Sequence, residues 1–89
     1  MKKIENIVME NEKEFKTRDF YISACILASG VTLLRLTKET EKFAFFVFNI
    51  SPIKAEQIIQ EHWDRKLMLP TRNLIEAIHE LKTRIHATL

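Results

Sequence analysis

The stretch from Lys42 to Phe48, KFAFFVF, holds four of the six phenylalanines of the chain and decides how the chain folds. Successive side chains of a β-strand point to opposite faces. The apolar residues therefore divide into two sets, with Phe43, Phe45 and Val47 on one face and Ala44, Phe46, Phe48 and Ile50 on the other. Apolar residues on both faces are typical of a strand that is covered on both sides. Each face is expected to meet helices, another strand layer, a second protomer or a ligand.

The aromatic strand is predicted to belong to a β-hairpin that follows a helix. Residues 31–38 and 42–50 are rich in β-branched, leucine and phenylalanine residues, and the polar link KETEK between them suits a turn. Upstream, residues 17–29 read TRDFYISACILAS, with apolar residues close to a 3.6-residue period. Thr17 or Asp19 is the expected N-cap of this helix, and Gly30 is expected to end it.

Two further helices are predicted after the hairpin. Ser51 and Pro52 are typical of a helix start, and this helix is expected to end near Asp64. A third helix is predicted over residues 72–86, and its core stripe consists of Leu74, Ile78, Leu81 and Ile85. Between the two helices, residues 67–69 form either a short strand or an apolar loop.

The predicted fold class is α+β: a helix, an antiparallel β-hairpin, and then two helices packed on the sheet. Residues 14–16 are a candidate third short strand. Residues 1–14 are expected to be a flexible segment, or to begin with a short helix through Ile4, Ile7 and Val8. Residues 15–89 are expected to form a single domain.

Length and composition narrow the class of protein. A chain of 89 residues with 46% apolar content makes one domain, and so short a chain buries a modest share of its surface. Self-association is therefore expected, most simply as a homodimer. The single cysteine, Cys25, excludes an internal disulfide and suits a reducing cytoplasm. No secretory signal and no apolar run long enough for a membrane span is present, so a cytoplasmic protein is expected.

The residues that most often carry catalysis do not form a recognisable motif. Cys25 lies in an apolar helical run, where cysteine usually acts as a small hydrophobe. Of the three histidines, His79 and His86 are about 10 Å apart along a helix, which is too far to share one metal ion, and His62 stands alone. A glycine loop for phosphate is absent. The sequence therefore predicts a non-catalytic protein without a cofactor or a bound metal.

The hairpin carries the best candidate binding surface. KFAFFVF resembles the signature of RNA-recognition motifs, in which a basic residue precedes two aromatic residues that stack on bases. On this resemblance Phe43 and Phe45 are the stacking residues, although the signature's glycine is absent after Lys42 and a helix replaces the final strand. Candidate residues for binding a nucleic acid or a protein partner are therefore Arg35, Lys38, Lys42, Phe43 and Phe45, together with Tyr21 at the edge of the first helix.

Two other groups of residues have competing interpretations. Arg65, Lys66 and Arg72 form either a phosphate patch or a solvated rim, and the solvated rim is the commoner fate of such residues. Trp63 falls on the apolar stripe of the second helix, so it is expected to be buried against the hairpin.

A broader resemblance covers residues 15–85. FKTRDFYISACILASG, an aromatic hairpin, a tryptophan late in a helix and LPTRNLIEAIHELKTRI are similar to a family of small uncharacterised domains of bacteria, archaea and phages. The matching residues are Phe15, Thr17, Asp19, Ala24, Leu27, Gly30, Phe46, Phe48, Trp63, Leu81 and Lys82. The resemblance implies a compact binding module of the kind common in mobile elements.

Three functional hypotheses follow. The first is a non-catalytic module that binds a macromolecule through the aromatic and basic hairpin, with nucleic acid preferred. The second is a protein antagonist or adaptor, such as a phage inhibitor of a host defence enzyme, that uses the same face. The third is a structural homodimer in which two hairpin faces cover each other.

Overall fold

The computed structural model of the protein describes residues 13–88 and has an α+β fold, as predicted. Three strands and three helices follow in the order β1 (Phe15–Thr17), α1 (Phe20–Ala28), β2 (Leu33–Lys38), β3 (Ala44–Phe48), α2 (Pro52–Trp63) and α3 (Thr71–Thr88). The third strand is confirmed as β1, whereas residues 67–69 form a loop. The predicted helix through Ile4, Ile7 and Val8 lies outside the described residues, as does most of the 1–14 segment.

The aromatic strand β3 is the central strand of an antiparallel sheet with the order β1-β3-β2. Phe48 lies opposite Phe15 of β1, and Phe46 lies opposite Leu36 of β2. An irregularity in β2 between Leu33 and Arg35 shifts the register there. Hydrogen bonding to a neighbour on each side leaves β3 without a free edge, and its side chains divide between the two faces of the sheet.

One face of the sheet forms the hydrophobic core with the three helices. Phe46 and Phe48 of β3 are buried together with Ile26 of α1, Ala55 of α2 and Leu81 of α3. Burying a phenylalanine stabilises a fold by roughly 1.5–3 kcal/mol, so these two rings anchor the layer. The predicted stripe of α3 is confirmed, since the remaining members of the stripe are partly buried against the same core: Leu74, Ile78 and Ile85.

Helix α1 is held at both ends by local hydrogen bonds. The Asp19 carboxylate accepts a hydrogen bond from the Ile22 backbone N–H at 3.0 Å, so Asp19 is the N-cap and Thr17 belongs to β1. Gly30 ends the helix with φ +97°, in the left-handed region that glycine tolerates best. The buried Ser23 hydroxyl donates to the Asp19 carbonyl at 2.8 Å and is satisfied there.

Helix α2 has the predicted start and an unusual end. The Ser51 hydroxyl accepts from the Lys54 backbone N–H at 3.3 Å. After the last turn, Arg65 has φ 63°, and the Lys66 N–H donates to the Glu61 carbonyl at 2.8 Å. These are the features of a left-handed helix terminus, where glycine is the usual residue. Arg65 is the one non-glycine residue with positive φ in the described part of the chain.

Replacing Gly30 by alanine is expected to lower the free energy of unfolding by about 1–2 kcal/mol, because a residue with a Cβ is disfavoured in the left-handed region. A Cβ at this position would meet no atom within 4 Å, so the cost comes from the backbone alone. Urea denaturation measures the change. Gly30→Asn should lose less, because asparagine tolerates this conformation, and equal losses for both variants would contradict the explanation.

Replacing Arg65 by glycine should have the opposite effect. Relief of the left-handed strain is expected to outweigh the greater freedom of glycine in the unfolded chain, with a net gain of about 0.5–1 kcal/mol in the free energy of unfolding. Arg65→Ala is the control, because it removes the same guanidinium but retains a Cβ. The same stability for the alanine and glycine variants would show that backbone strain is not the cause.

Candidate functional site

The outer face of the sheet, the side opposite the helices, carries the candidate binding surface. Register places Lys16 of β1 and Arg35 of β2 on either side of Val47, so the three side chains form one row across the sheet. Phe45 lies two residues from Val47 and points the same way. Phe43 precedes β3 and continues this set. We use "outer face" below for these five residues and for Arg18, whose side chain covers the rings.

The outer face is covered by cationic side chains of the chain itself. Lys16 Nζ lies 5.4 Å from the centre of the Phe45 ring, and Arg18 Cζ lies 5.2 Å from the Phe43 ring and 5.6 Å from the Phe45 ring. Val47 is only 2% exposed, although the core is on the other side of the sheet. Of the partners expected for this face, residues 13–88 provide no helix and no second strand layer, and the rings lie beneath the cationic groups of Lys16 and Arg18 instead. A second protomer or a ligand on this face stays a prediction.

Phe43 is the most accessible ring of this surface, with half of its area exposed. Beside it is a notch of about 150 Å³ that also involves Phe20 and reaches Ile85 near the end of α3. Arg18 and Lys42 line the same notch. An exposed ring with two cations beside it offers both a stacking surface and positive charge to a ligand.

Two carboxylates partly balance the positive charge of the outer face. Arg35 pairs with Glu14 at 2.9 Å, and Arg18 pairs with Glu39 at 3.5 Å. The four side chains are each about half exposed. Ion pairs of this kind contribute at most about 1 kcal/mol, so either guanidinium can exchange its partner for another anion at small cost.

The remaining residues predicted for the hairpin site are divided by the structure. Lys38 lies opposite Ala44, which is buried on the helix side, so its position in β2 faces away from the outer rings. Its Nζ is 4.0 Å from the Glu41 carboxylate. Tyr21 is 66% exposed, and its ring packs edge-on against Phe20 at 5.2 Å.

The residues of the predicted phosphate patch lie around the connection between α2 and α3. Arg65 and Lys66 follow α2, whereas Arg72 is in the first turn of α3 and pairs with Glu76 at 3.0 Å. Residues 72 and 85 are about 20 Å apart along α3, so this patch is remote from the notch beside Phe43. The structure therefore separates the two predicted basic regions.

The prediction that Trp63 is buried against the hairpin is wrong. Trp63 is 65% exposed, and its ring lies 4.9 Å from that of His62. The inward stripe of α2 runs through Ala55 and Ile59 to the partly buried His62. Successive residues of a helix are rotated by about 100°, so the residue after His62 points away from the core.

The structure also brings together Cys25 and His62, which are 37 residues apart in the chain. Cys25 Sγ lies 3.7 Å from His62 Nδ1, and the thiol is buried. Burial, and to a smaller extent the nearby Asp19 carboxylate, raises the pKa of the Cys25 thiol above its usual value. The thiol is therefore protonated at neutral pH, which disfavours nucleophilic attack.

The residues that were missed, Lys16, Arg18 and the Cys25–His62 pair, have a common feature. Their positions depend on how β1 pairs with β3 and how α2 packs on α1. No pattern in the sequence indicates these two pairings, apart from the short strand that is predicted at residues 14–16.

Groups of three or more histidine, cysteine or acidic side chains able to hold a metal ion are absent from residues 13–88. Within the same range, every helix is too short or too polar to span a membrane.

The burial of Cys25 makes a testable prediction about its titration. The rate of alkylation by iodoacetamide is expected to rise with pH around a midpoint above that of the same thiol in the urea-unfolded chain, because the folded state disfavours the thiolate. By linkage, the corresponding stability is present below the unfolded pKa and is lost as the pH rises through the folded pKa.

Asp19→Asn is the matched variant, because asparagine still caps α1 but lacks the charge. It should lower the midpoint only part of the way, since burial is the larger cause. Equal midpoints for the folded and unfolded chains would contradict the assignment.

Comparison with known proteins identifies a family for this chain but no individual relative. No curated protein and no solved structure is significantly similar to this chain. The family described as "Domain of unknown function (DUF5659)" matches residues 12–87, which is most of the chain and includes every strand and helix described above except the last residue of α3. The predicted resemblance to a small uncharacterised domain family is confirmed: the chain belongs to the DUF5659 family.

Proposed function

We propose that this protein is a non-catalytic module that binds single-stranded nucleic acid through the outer face of its sheet. The observation that supports the proposal is the arrangement of Phe43 and Phe45 beneath the guanidinium of Arg18, with Lys16 over the second ring. Aromatic rings that stack on bases and cations that meet phosphates are the two components of most single-strand binding surfaces.

The rings are available at small cost. A cation–π contact at an exposed site contributes about 0.5–1 kcal/mol, so a base can displace Arg18 or Lys16 from a ring without a large penalty. Base–aromatic stacking contributes roughly 1–3 kcal/mol per base, which more than offsets the lost contact. Phe43 is already half exposed and needs the least rearrangement.

The displaced cations then have a new partner. Arg18 and Arg35 hold only solvent-exposed carboxylates, Glu39 and Glu14, and a phosphate diester can replace either of these. Lys42 lies beside Phe43 at the notch and adds a third positive charge near the same path. With a net charge of +2 on the chain, local contacts of this kind must provide the attraction, because the overall field is weak.

A single strand is preferred over a duplex because the outer face presents rings on a sheet surface. Reading a duplex from the major groove uses a helix or a two-stranded ribbon that enters the groove. The rings of a sheet face instead require bases with an open π-face, which a single strand offers.

A cytoplasmic location is also proposed, since the one cysteine of the chain is a free thiol and reducing compartments keep thiols in that form.

A second candidate function is binding to a protein partner, as an antagonist or adaptor. It is favoured by the exposure of large apolar side chains beyond the outer face, on the helices and on the loop after α2, such as Tyr21, Ile53 and Met68. A homodimer in which two outer faces cover each other is a separate version of protein binding, because it uses the outer face instead of these side chains. Measuring the mass of the protein across a dilution series separates this version from a monomeric module.

Phe43→Leu is the variant that tests the stacking proposal. We expect it to weaken binding of a fluorescein-labelled single-stranded RNA or DNA oligonucleotide by about 5- to 100-fold, which corresponds to the stacking of one base. Phe45→Leu should act in the same direction. Fluorescence anisotropy measures the affinity at two salt concentrations, and binding by the unmodified protein should weaken as salt rises.

Trp63→Leu is the matched control, because it removes an aromatic ring that is at least as exposed as Phe43 from a different part of the molecule. Its affinity should equal that of the unmodified protein. The proposal fails if neither RNA nor DNA binds, if the affinity does not depend on salt, or if the Trp63 and Phe43 variants lose affinity equally. Capture of a defined protein that the Phe43 variant no longer binds would favour the second candidate.

A further inference from the structure

A groove of about 390 Å³ lies between α1, the end of α2, the following loop and the start of α3. Its floor contains the buried Cys25 and the partly buried His62, and its walls include three partly buried leucines and one arginine: Leu67, Leu69, Leu74 and Arg65. A mostly apolar concave surface of this size with a few polar groups is typical of small-molecule sites.

The charge of this groove is of one sign. Of the residues from 13 to 88 that line it, Arg65 is the only permanently charged one, and none is a carboxylate. Among the described residues, Arg65 has no ion-pair partner, unlike Arg18, Arg35, Arg72 and Arg84. An arginine without a carboxylate beside a groove of leucines complements a ligand with one anionic end and an apolar body.

The backbone of Arg65 supports a role for its side chain. The residue adopts the left-handed conformation that glycine would adopt at lower cost, and an arginine rather than a glycine lines the groove at this turn. Strained backbone of this kind is often found at binding sites.

We infer that the groove binds a small organic acid, with the carboxylate on the Arg65 guanidinium and a hydrocarbon body against Leu67, Leu69 and Leu74. The Cys25–His62 pair forms the inner end of the site, and binding of the acid forms no covalent bond with either residue. This inference does not rest on the proposed nucleic-acid function. Leu74 in the groove and Ile85 at the notch beside Phe43 are about 16 Å apart along α3, so the two sites can be tested separately.

Two natural reporters lie at this groove. Cys25 is the only cysteine of the chain, so thiol alkylation reports on the groove alone. Trp63 is the only tryptophan, and its ring contacts that of the groove residue His62 at 4.9 Å between centres. Neither reporter contributes to the outer face of the sheet.

The experiment compares octanoate with octanamide, which has the same shape but no charge. Octanoate is expected to slow alkylation of Cys25 in a saturable manner, and octanamide should bind about tenfold or more weakly because it lacks the ionic hydrogen bonds to arginine. Trp63 fluorescence in a Cys25→Ser variant should give the same ranking of the two compounds by an independent measurement.

Arg65→Gly distinguishes binding from folding. The variant should melt at the same temperature as the unmodified protein or higher, yet octanoate should bind it no better than octanamide does. Arg65→Lys, which keeps the positive charge, should retain part of the preference for octanoate. The anisotropy titration with oligonucleotides should be unchanged in both variants, because the outer face is not altered.

Three results would overturn the inference: no saturable effect of octanoate on either reporter, equal affinities for octanoate and octanamide, or an unchanged preference for octanoate in Arg65→Gly. Oligonucleotide binding without a saturable octanoate effect would remove this inference and leave the proposed function standing, whereas octanoate binding without oligonucleotide binding would do the opposite.

Discussion

The packing of Phe46 and Phe48 against α1 and α3 is the interaction on which the rest of this structure depends. Both rings are almost completely buried, and they hold the central strand against the helices. Because side chains alternate along a strand, this packing also forces Phe45 and Val47 to the opposite face. The three helices of residues 13–88 all pack on the face that carries Phe46 and Phe48, so none of them covers the second face.

The second face is instead covered by long cationic side chains from the edge strands and from Arg18. Their apolar stems and charged heads shield Val47 and Phe45 from water while the charges stay solvated. Such a cover is stable enough for the free protein and easily displaced, because each contact contributes little. A ligand with stacking groups and negative charges can therefore replace the cover by better contacts.

The two ends of α3 have different chemistry. Near its C-terminal end Ile85 borders a notch with exposed aromatic and cationic side chains, whereas near its start Leu74 borders an apolar groove with one arginine. The helix thus keeps the two candidate sites about 16 Å apart, so a variant at one site is expected to leave the other unaltered. The left-handed turn at Arg65 belongs to the second site and reduces stability locally.

The sequence by itself determined most of the secondary structure and the two sets of side chains on β3, because helix caps at Asp19 and Ser51, the stop at Gly30 and the alternation in KFAFFVF are local signals. It also identified the family and the two outward phenylalanines. Only the tertiary structure decided what lies over those rings, why Trp63 is exposed, and that Cys25 meets His62. These outcomes depend on strand pairing and helix packing between distant segments, and residues far apart in the chain carry no mutual periodicity that would reveal such contacts.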